Sequence, residues 1–196
     1  MSSITLSEHF SFDEFVKESN PKLTSIQWYM LQNLCQNILE PLRAFAGQVS
    51  RIKNCFTITS GMRFPSDRER LIKQGYHPSE TTDHDYGQAV KLTREKNIAK
   101  YGEYYFYSMG AADIVPACGA LFLFEKCKQY FKHGEHAIDL PTGKIFINQF
   151  ILEKGKDYWL HISNPVSLLY KEPMIKFLDK DCFLQSLDNG SSYQRV

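Results

Sequence analysis

The sequence has no apolar run close to the roughly 20 residues that a membrane-spanning helix requires, and neither sign of charge dominates it. Its 23 basic and 22 acidic side chains nearly cancel, which argues against nucleic acid or an anionic membrane surface as the partner. The start, Met1-Ser2-Ser3, lacks the basic and apolar regions of a secretory signal peptide. We therefore expect no membrane span, no signal peptide and no polyanionic partner.

Paired cysteines are also lacking. The five cysteines form no Cys-x-x-Cys motif and stand far apart, mostly among apolar residues: Cys35, Cys55, Cys118, Cys127 and Cys182. An odd, scattered set is typical of reduced core cysteines, and it argues against a disulfide framework or a zinc–thiolate site. Aromatic residues, in contrast, make up 14% of the chain, which favours a packed core over a disordered chain.

The length of 196 residues suits one domain with a substantial core and an appended arm. We place the domain at residues 1–165 and the C-terminal arm at residues 166–196, after Asn164-Pro165. The arm contains an apolar segment at 174–178 and ends in a polar tail. The chain shows no internal repeat and no low-complexity linker.

A capping signal and apolar periodicity predict two helices in the first third of the chain. Ser11 and Glu14 have the spacing of a capping box, which predicts a short helix. From Ser25, apolar residues at three- and four-residue steps predict a longer helix, which Pro41 should kink or restart and Gly47 should end. The stripe consists of Ile26, Tyr29, Met30, Leu34, Ile38, Leu42 and Phe45.

Predicted strands and turns alternate through the rest of the domain. β-Branched and aromatic residues at 56–59 predict a strand that ends at Ser60-Gly61 and leads to Arg63. The remaining predictions are a charged helical turn at 66–74, a polar loop at 77–83, a helix at 116–132, turns at 142–144 and 154–157, and strands at 145–147, 150–153 and 158–163.

Two histidines and an aspartate on separate segments are candidates for one metal site. His84 lies among turn-forming polar residues, Asp113 follows Gly110-Ala111-Ala112, and His161 lies in the last predicted strand. A catalytic zinc ion takes three ligands of histidine and carboxylate type and leaves one position for water. The ordinary interpretations stay open: His161 as a hydrogen-bonded strand histidine, and Asp113 as the cap of the helix that follows.

Peptide hydrolysis at such a site also needs a carboxylate that takes the proton of the attacking water and passes it to the leaving amine. Glu153 is the first candidate, because a hairpin can place it beside the strand that carries His161, and Asp157 is the second. Arg63 suits a substrate carboxylate, because its planar guanidinium group can bind one bidentately. The ordinary interpretation of Arg63 is an ion pair on the surface.

The ordered set of motifs resembles the zinc D-Ala-D-Ala carboxypeptidase and L-alanyl-D-glutamate peptidase family, which includes VanY-type carboxypeptidases and many phage endolysins. The resemblance spans residues 4 to about 163. The matching segments are SEHFSFDEF at 7–15, LEPLR at 39–43, ITSGMR at 58–63, and a closing Glu153 followed by WLHIS at 159–163.

The resemblance implies an α+β fold of the hedgehog/DD-peptidase type, in which a small antiparallel sheet packs with helices. It implies that zinc is bound by His84, Asp113 and His161. It further implies that Glu153 lies near the metal-bound water and that Arg63 faces the substrate. Members of this family cleave peptide bonds in the short stem peptides of bacterial peptidoglycan.

One spacing departs from the family pattern Ser-x-His-x-x-Gly-x-Ala-x-Asp-Ile. The aspartate should fall seven residues after the histidine, but Lys91 stands there, and a protonated lysine cannot ligate a metal. Thr82 replaces the usual serine. The end of the motif occurs later, at residues 110–114, as though about 22 residues had been inserted at about 91–109. The insert either loops out and leaves the ligands in register, or it marks a site that has lost its metal.

Two functions follow from these patterns. The first is a zinc metallopeptidase of phage type, a peptidoglycan hydrolase that cleaves stem peptides or cross-bridges; it would act from the host cytoplasm on the cell wall, or be carried on a virion. The second is a non-catalytic virion or tail protein that keeps the peptidase fold and contacts other virion proteins. Lys91, the insert and the C-terminal arm favour the second function.

Overall fold

The structure is a computed structural model that describes residues 4–18, 21–53, 55–76, 82–87, 89–91, 105–132, 135–165, 183–186 and 194–195. The helices are α1 (Phe12–Phe15), α2 (Ser25–Asn33), α3 (Glu40–Ser50), α4 (Pro65–Lys73) and α5 (Ala120–Lys128), with a π-helical segment at Leu34–Leu39 and a 3-10 turn at Asp83–Asp85. The predicted apolar segment at 174–178, most of the polar loop at 77–83, and Cys182 lie outside the described residues.

The strands of the described residues form one large sheet and two small ones. The strands are β1 (Phe56–Ser60), β2 (Ala89–Lys91), β3 (Tyr105–Tyr107), β4 (Ala111–Pro116), β5 (Phe131–Lys132), β6 (Ala137–Leu140), β7 (Gly143–Phe146), β8 (Phe150–Lys154), β9 (Tyr158–Ser163), β10 (Phe183–Ser186) and β11 (Gln194–Arg195). The large sheet has the order β1-β4-β9-β8-β10-β11, and β2-β3 and β5-β6-β7 are separate. The fold is α+β, as predicted.

The large sheet is mostly antiparallel, with one exception. Strand β10 pairs with β8 in parallel, whereas the other strand pairs described in this sheet are antiparallel, as predicted. This strand and β11 come from the segment predicted as a C-terminal arm, and both extend the sheet beyond β8. The described part of the arm is therefore joined to the domain by strand pairing.

One face of the large sheet belongs to the hydrophobic core. Helix α5 packs across β4, β8 and β9, and the ring of Phe124 on α5 stacks on that of Phe150 on β8 with a centroid distance of 5.9 Å. Side chains on alternate positions of a strand point to opposite faces. The second set of positions on β4 and β9 is therefore free to build a site on the other face.

The N-terminal helices confirm two predictions and correct two. The Glu14 carboxylate accepts a hydrogen bond from the backbone N–H of Ser11 at 2.7 Å, as the capping box predicts, and α3 begins after the π-helical segment with Pro41 in its first turn. Gly47 does not end the helix, because α3 continues to Ser50 and ends where Arg51 adopts a left-handed backbone conformation. The predicted stripe is buried from Met30 onward, but Ile26 and Tyr29 are exposed.

The predicted helix at 116–132 is too long at both ends. Pro116 is the last residue of β4 and pairs with Phe56. Gly119 has a φ of 92° and precedes α5. Phe131–Lys132 then forms β5. A single apolar run therefore serves a strand end, a turn and a helix.

The cysteines are partly as expected. Cys35, Cys55 and Cys127 are free thiols. Cys35 and Cys127 are buried, and burial, the main cause, raises the pKa of both thiols. Cys55 is exposed and Cys118 is intermediate, so the core assignment is wrong for Cys55.

Among the described residues, no helix combines the length and the apolar character that crossing a membrane would require.

Candidate metal centre

A paired stem explains how the insert is accommodated. Strands β2 and β3 are antiparallel, with Ala89 opposite Tyr107 and Lys91 opposite Tyr105. At the base of this stem, the backbone N–H of Gly87 donates to the carbonyl oxygen of Ser108 at 2.8 Å. The residues on either side of the insert are thus held side by side, and the chain resumes at β4 close to where it left His84.

A short, capped turn presents His84. Thr82 is the N-cap, and its Oγ1 accepts a hydrogen bond from the backbone N–H of His84 at 3.3 Å. After the turn, Tyr86 and Gly87 have positive φ values of 43° and 73°, a conformation that is rare for a residue other than glycine. Tyr86 is held there because it is fully buried and its hydroxyl donates to the carbonyl oxygen of Ala111 at 2.8 Å.

Neighbouring strands present the other two residues. Asp113 on β4 lies directly opposite His161 on β9, so both side chains point to the same face of the sheet. Asp113 lies inside the strand, which corrects the alternative that it caps a helix. His161 is a hydrogen-bonded strand histidine, as the ordinary interpretation held, and it also faces His84.

The three side chains converge on one point. His84 Nε2 lies 3.2 Å from Asp113 Oδ1 and 3.2 Å from His161 Nδ1, and His161 Nδ1 lies 2.9 Å from Asp113 Oδ1. A tetrahedral ion with bonds of about 2.0–2.1 Å separates its ligand atoms by about 3.3–3.4 Å. Shifts of a few tenths of an ångström would therefore accommodate an ion, and the buried group can hold a metal.

A hydrogen bond at the second nitrogen of each imidazole ring supports a role of His84 and His161 as metal ligands. His84 Nδ1 lies 2.7 Å from the carbonyl oxygen of Gly61, which can only accept, so Nδ1 carries the proton and Nε2 presents its lone pair. His161 Nε2 lies 3.1 Å from Gln149 Oε1, which leaves the lone pair of Nδ1 facing the same point. Metal-ligating histidines are typically oriented by such outer hydrogen bonds.

Arg63 orients Asp113. Its Nη2 donates to Asp113 Oδ2 at 2.8 Å, and its Nε donates to Ser60 Oγ at 3.0 Å. A register shift in β1 between Ile58 and Ser60 places Ser60 opposite Asp113, where its hydroxyl can hold the guanidinium group. With Oδ2 bound to Arg63, Oδ1 faces the histidines. The ordinary interpretation of Arg63, an ion pair, is therefore correct, but its partner is Asp113 of the metal centre and not an acid on the surface.

The protonation states of His84 and Asp113 suit a cation, whereas His161 holds its proton more strongly. Burial, followed by the charge of Arg63, lowers the pKa of His84 to about 4, so its imidazole is neutral at pH 7. Burial also acts to lower the pKa of His161, but the Asp113 carboxylate raises it above its ordinary value. Burial acts to raise the pKa of Asp113, yet His84, His161 and Arg63 hold it well below its usual range. Asp113 is therefore ionised.

The two candidate carboxylates occupy different environments. Glu153 on β8 lies opposite Trp159, two residues from His161, so it faces the same side of the sheet, and its charge contributes to the raised pKa of His161. Asp157 is exposed in the turn after β8, and its carbonyl oxygen accepts from the backbone N–H of Gly155 at 3.1 Å. Glu153 is the better placed of the two.

Sequence reasoning missed a polar network behind the histidines. Asp83 is almost fully buried and accepts hydrogen bonds from the backbone N–H of Met109 at 3.0 Å and from Asn148 Nδ2 at 2.9 Å. The next residue, Gln149, holds His161. The position of Asp83 beside His84 was a local signal, whereas nothing in the sequence near Gln149 indicates its partner 12 positions away.

The chain matches no family model, and neither a curated protein nor a solved structure is significantly similar to it.

Proposed function

We propose that the protein is a zinc-dependent peptidase that cleaves the stem peptides or cross-bridges of bacterial peptidoglycan. The observation that carries the proposal is the buried triangle of His84 Nε2, Asp113 Oδ1 and His161 Nδ1, with edges of 2.9–3.2 Å. Two imidazole nitrogens and one carboxylate oxygen form a ligand set typical of catalytic zinc. The substrate class rests on the resemblance in residues 4 to about 163.

The ligand chemistry favours zinc over magnesium and calcium. Magnesium and calcium prefer an all-oxygen set, whereas two of the three donor atoms here are imidazole nitrogens. A zinc ion held there would polarise the scissile carbonyl group and increase the acidity of a water molecule. A protein with this residue set therefore needs only one further group, a base placed near that water.

Glu153 is the proposed base. It shares a face of the sheet with His161 and Trp159, and its carboxylate would take a proton from the attacking water and deliver it to the leaving amine. Asp157 stays the second candidate. Because Asp157 is exposed in the turn, we expect its orientation toward the metal centre to be less fixed.

Arg63 has one function that is visible in its contacts and a second that we propose. It holds Asp113 so that one carboxylate oxygen faces the metal position. Its side chain is 17% exposed, and this exposed part would meet a carboxylate of the substrate, because a guanidinium group binds carboxylates in a fixed geometry.

The decisive experiment combines elemental analysis with a cleavage assay on purified peptidoglycan. We expect about one zinc ion per chain in the unmodified protein and none in His161→Ala. His9→Ala is the matched control, because His9 lies outside the metal centre and its Nδ1 contacts Glu40 at 2.9 Å. This variant should keep its zinc.

Glu153→Gln separates metal binding from chemistry. The variant should keep its zinc and lose about 10²–10⁴-fold in kcat, the usual range for a general base. Unchanged release of stem peptides by this variant would exclude Glu153 as the base. If the unmodified protein binds no zinc even after reconstitution, the proposal fails and the non-catalytic virion function is the better one.

A further inference from the structure

The position of Glu153 within its strand raises the question of what holds it in place. Glu153 is the penultimate residue of β8, and a turn follows directly before β9 begins at Tyr158. Strand ends beside turns open more readily than strand centres. A general base must nevertheless be held within a fraction of an ångström of its working position.

Strand β10 provides a second pairing partner along this part of β8. Its four residues pair in parallel register with residues 150–153 of β8, and Ser186 lies opposite Glu153. Without β10, β8 would be the edge of the described sheet, with β9 as its one described partner. With β10 in place, the backbone at Glu153 has a strand on each side.

The register also places two β10 side chains on the face that carries the metal centre. Leu184 lies opposite Ile151 and Ser186 opposite Glu153, while Ile151 lies opposite His161. Paired residues in register share a face of a sheet. Ser186, whose exposed fraction is 1%, therefore stands beside Glu153 on the metal-centre face.

The metal ligands do not depend on β10 in the same way. Asp113 and His161 lie on β4 and β9, which pair with each other, and His84 is held by Gly61 and by its own turn. Strand β8 separates β9 from β10 in the sheet. A change in β10 should thus reach Glu153 before it reaches the ligands.

We propose that β10 is a positioning element for Glu153, so that the C-terminal segment is required for turnover but not for metal binding. The inference rests on the proposed function for the role of Glu153. It extends that function to a segment outside the resemblance, which ends at about residue 163.

The test uses the full chain with one proline substitution in each outer strand. Gln185→Pro should interrupt β10, since proline removes a backbone donor and is poorly tolerated within a paired strand. The matched control is Gln194→Pro in β11, because Gln194 pairs with Gln185 on the side away from β8. Each variant is assayed for zinc content, kcat, KM and amide hydrogen exchange.

For Gln185→Pro we expect at least about ten-fold faster amide exchange at residues 150–153, a fall in kcat of about ten-fold or more, little change in KM and full zinc content. Gln194→Pro should change each quantity less. A merely structural role for β10 would not lower kcat while leaving zinc and KM in place. Gln185→Gly, a milder change, should shift exchange and kcat in the same direction by smaller factors.

Several results would overturn the inference. It is wrong if exchange at residues 150–153 stays unchanged, if exchange accelerates but kcat does not fall, or if zinc is lost together with turnover. Failure of the proposed function is distinguishable, because then the unmodified protein itself shows no cleavage. In that case amide exchange at residues 150–153 still decides whether β10 holds the part of β8 that carries Glu153.

Discussion

The two faces of the large sheet are built from the same strands but by different interactions. On β9, Leu160 and Ile162 are fully buried in the apolar core, while His161 between them points to the opposite face and meets Asp113 at 2.9 Å. The core face is stabilised by apolar burial, which has no directional requirement. The metal face depends on hydrogen bonds and charges, whose strength falls steeply with distance and angle.

We infer that the two faces of the sheet have different roles. The core face sets where β4 and β9 lie, and the polar face uses that placement to bring ligand atoms together. If this is correct, substitutions on the core face should change stability and leave the metal stoichiometry intact. Substitutions on the polar face should change metal affinity and leave most of the stability intact.

The largest expected effect lies on the core face. Leu160→Ala should lower the free energy of unfolding of the metal-free protein by about 2–5 kcal/mol, because it removes buried apolar surface and leaves a cavity. Denaturant unfolding measures this change. Leu121→Ala is the matched control, since Leu121 is 43% exposed, and should cost no more than about 0.5 kcal/mol. Loss of zinc binding by folded Leu160→Ala protein would contradict the different roles of the two faces.

A smaller effect is expected on the polar face at Gln149. Gln149→Ala removes the acceptor at His161 Nε2 and should weaken zinc binding by about 10–100-fold, the usual effect of removing an outer hydrogen bond from a ligating histidine. Competition with a chelator of known affinity measures this. Gln149→Glu keeps an acceptor at the same position and should lose less affinity. Equal losses in both variants would show that Gln149 acts by some other route.

The smallest expected effect is the change of zinc affinity with pH. Zinc needs the bare Nδ1 of His161, and the pKa of this histidine in the metal-free protein is raised above its ordinary value, so protons compete below that pKa. His84 has a pKa of about 4, and Asp113 is ionised. Zinc affinity should therefore fall by about ten-fold, one proton, for each pH unit below the pKa of His161.

Chelator competition at several pH values between about 5 and 8 tests this response. A slope corresponding to about two protons over this range would mean that His84 is also protonated in the metal-free protein. That result would contradict the neutral state of His84, which its burial and the charge of Arg63 impose. No slope at all would mean that His161 is not a ligand.

Much of the fold was predictable from local sequence patterns. The capping box at Ser11, the strand before Arg63 and the hairpin that returns through His161 are encoded by residues close together in the chain, and each was confirmed. The errors at Gly47 and Pro116 arose where neighbours in space set the boundary. Helix α3 continued past a glycine, and Pro116 was taken into a strand end.

The sequence by itself determined which residue types are available: two histidines, an aspartate, an arginine and a glutamate on segments that the resemblance groups together. Only the tertiary structure decided that His84, Asp113 and His161 meet within 2.9–3.2 Å. It also decided that the stem of β2 and β3 closes the insert and that Gln149 and β10 flank the site. The physical reason is that these contacts join residues far apart in the chain, and their geometry depends on strand register and packing, which no local pattern specifies.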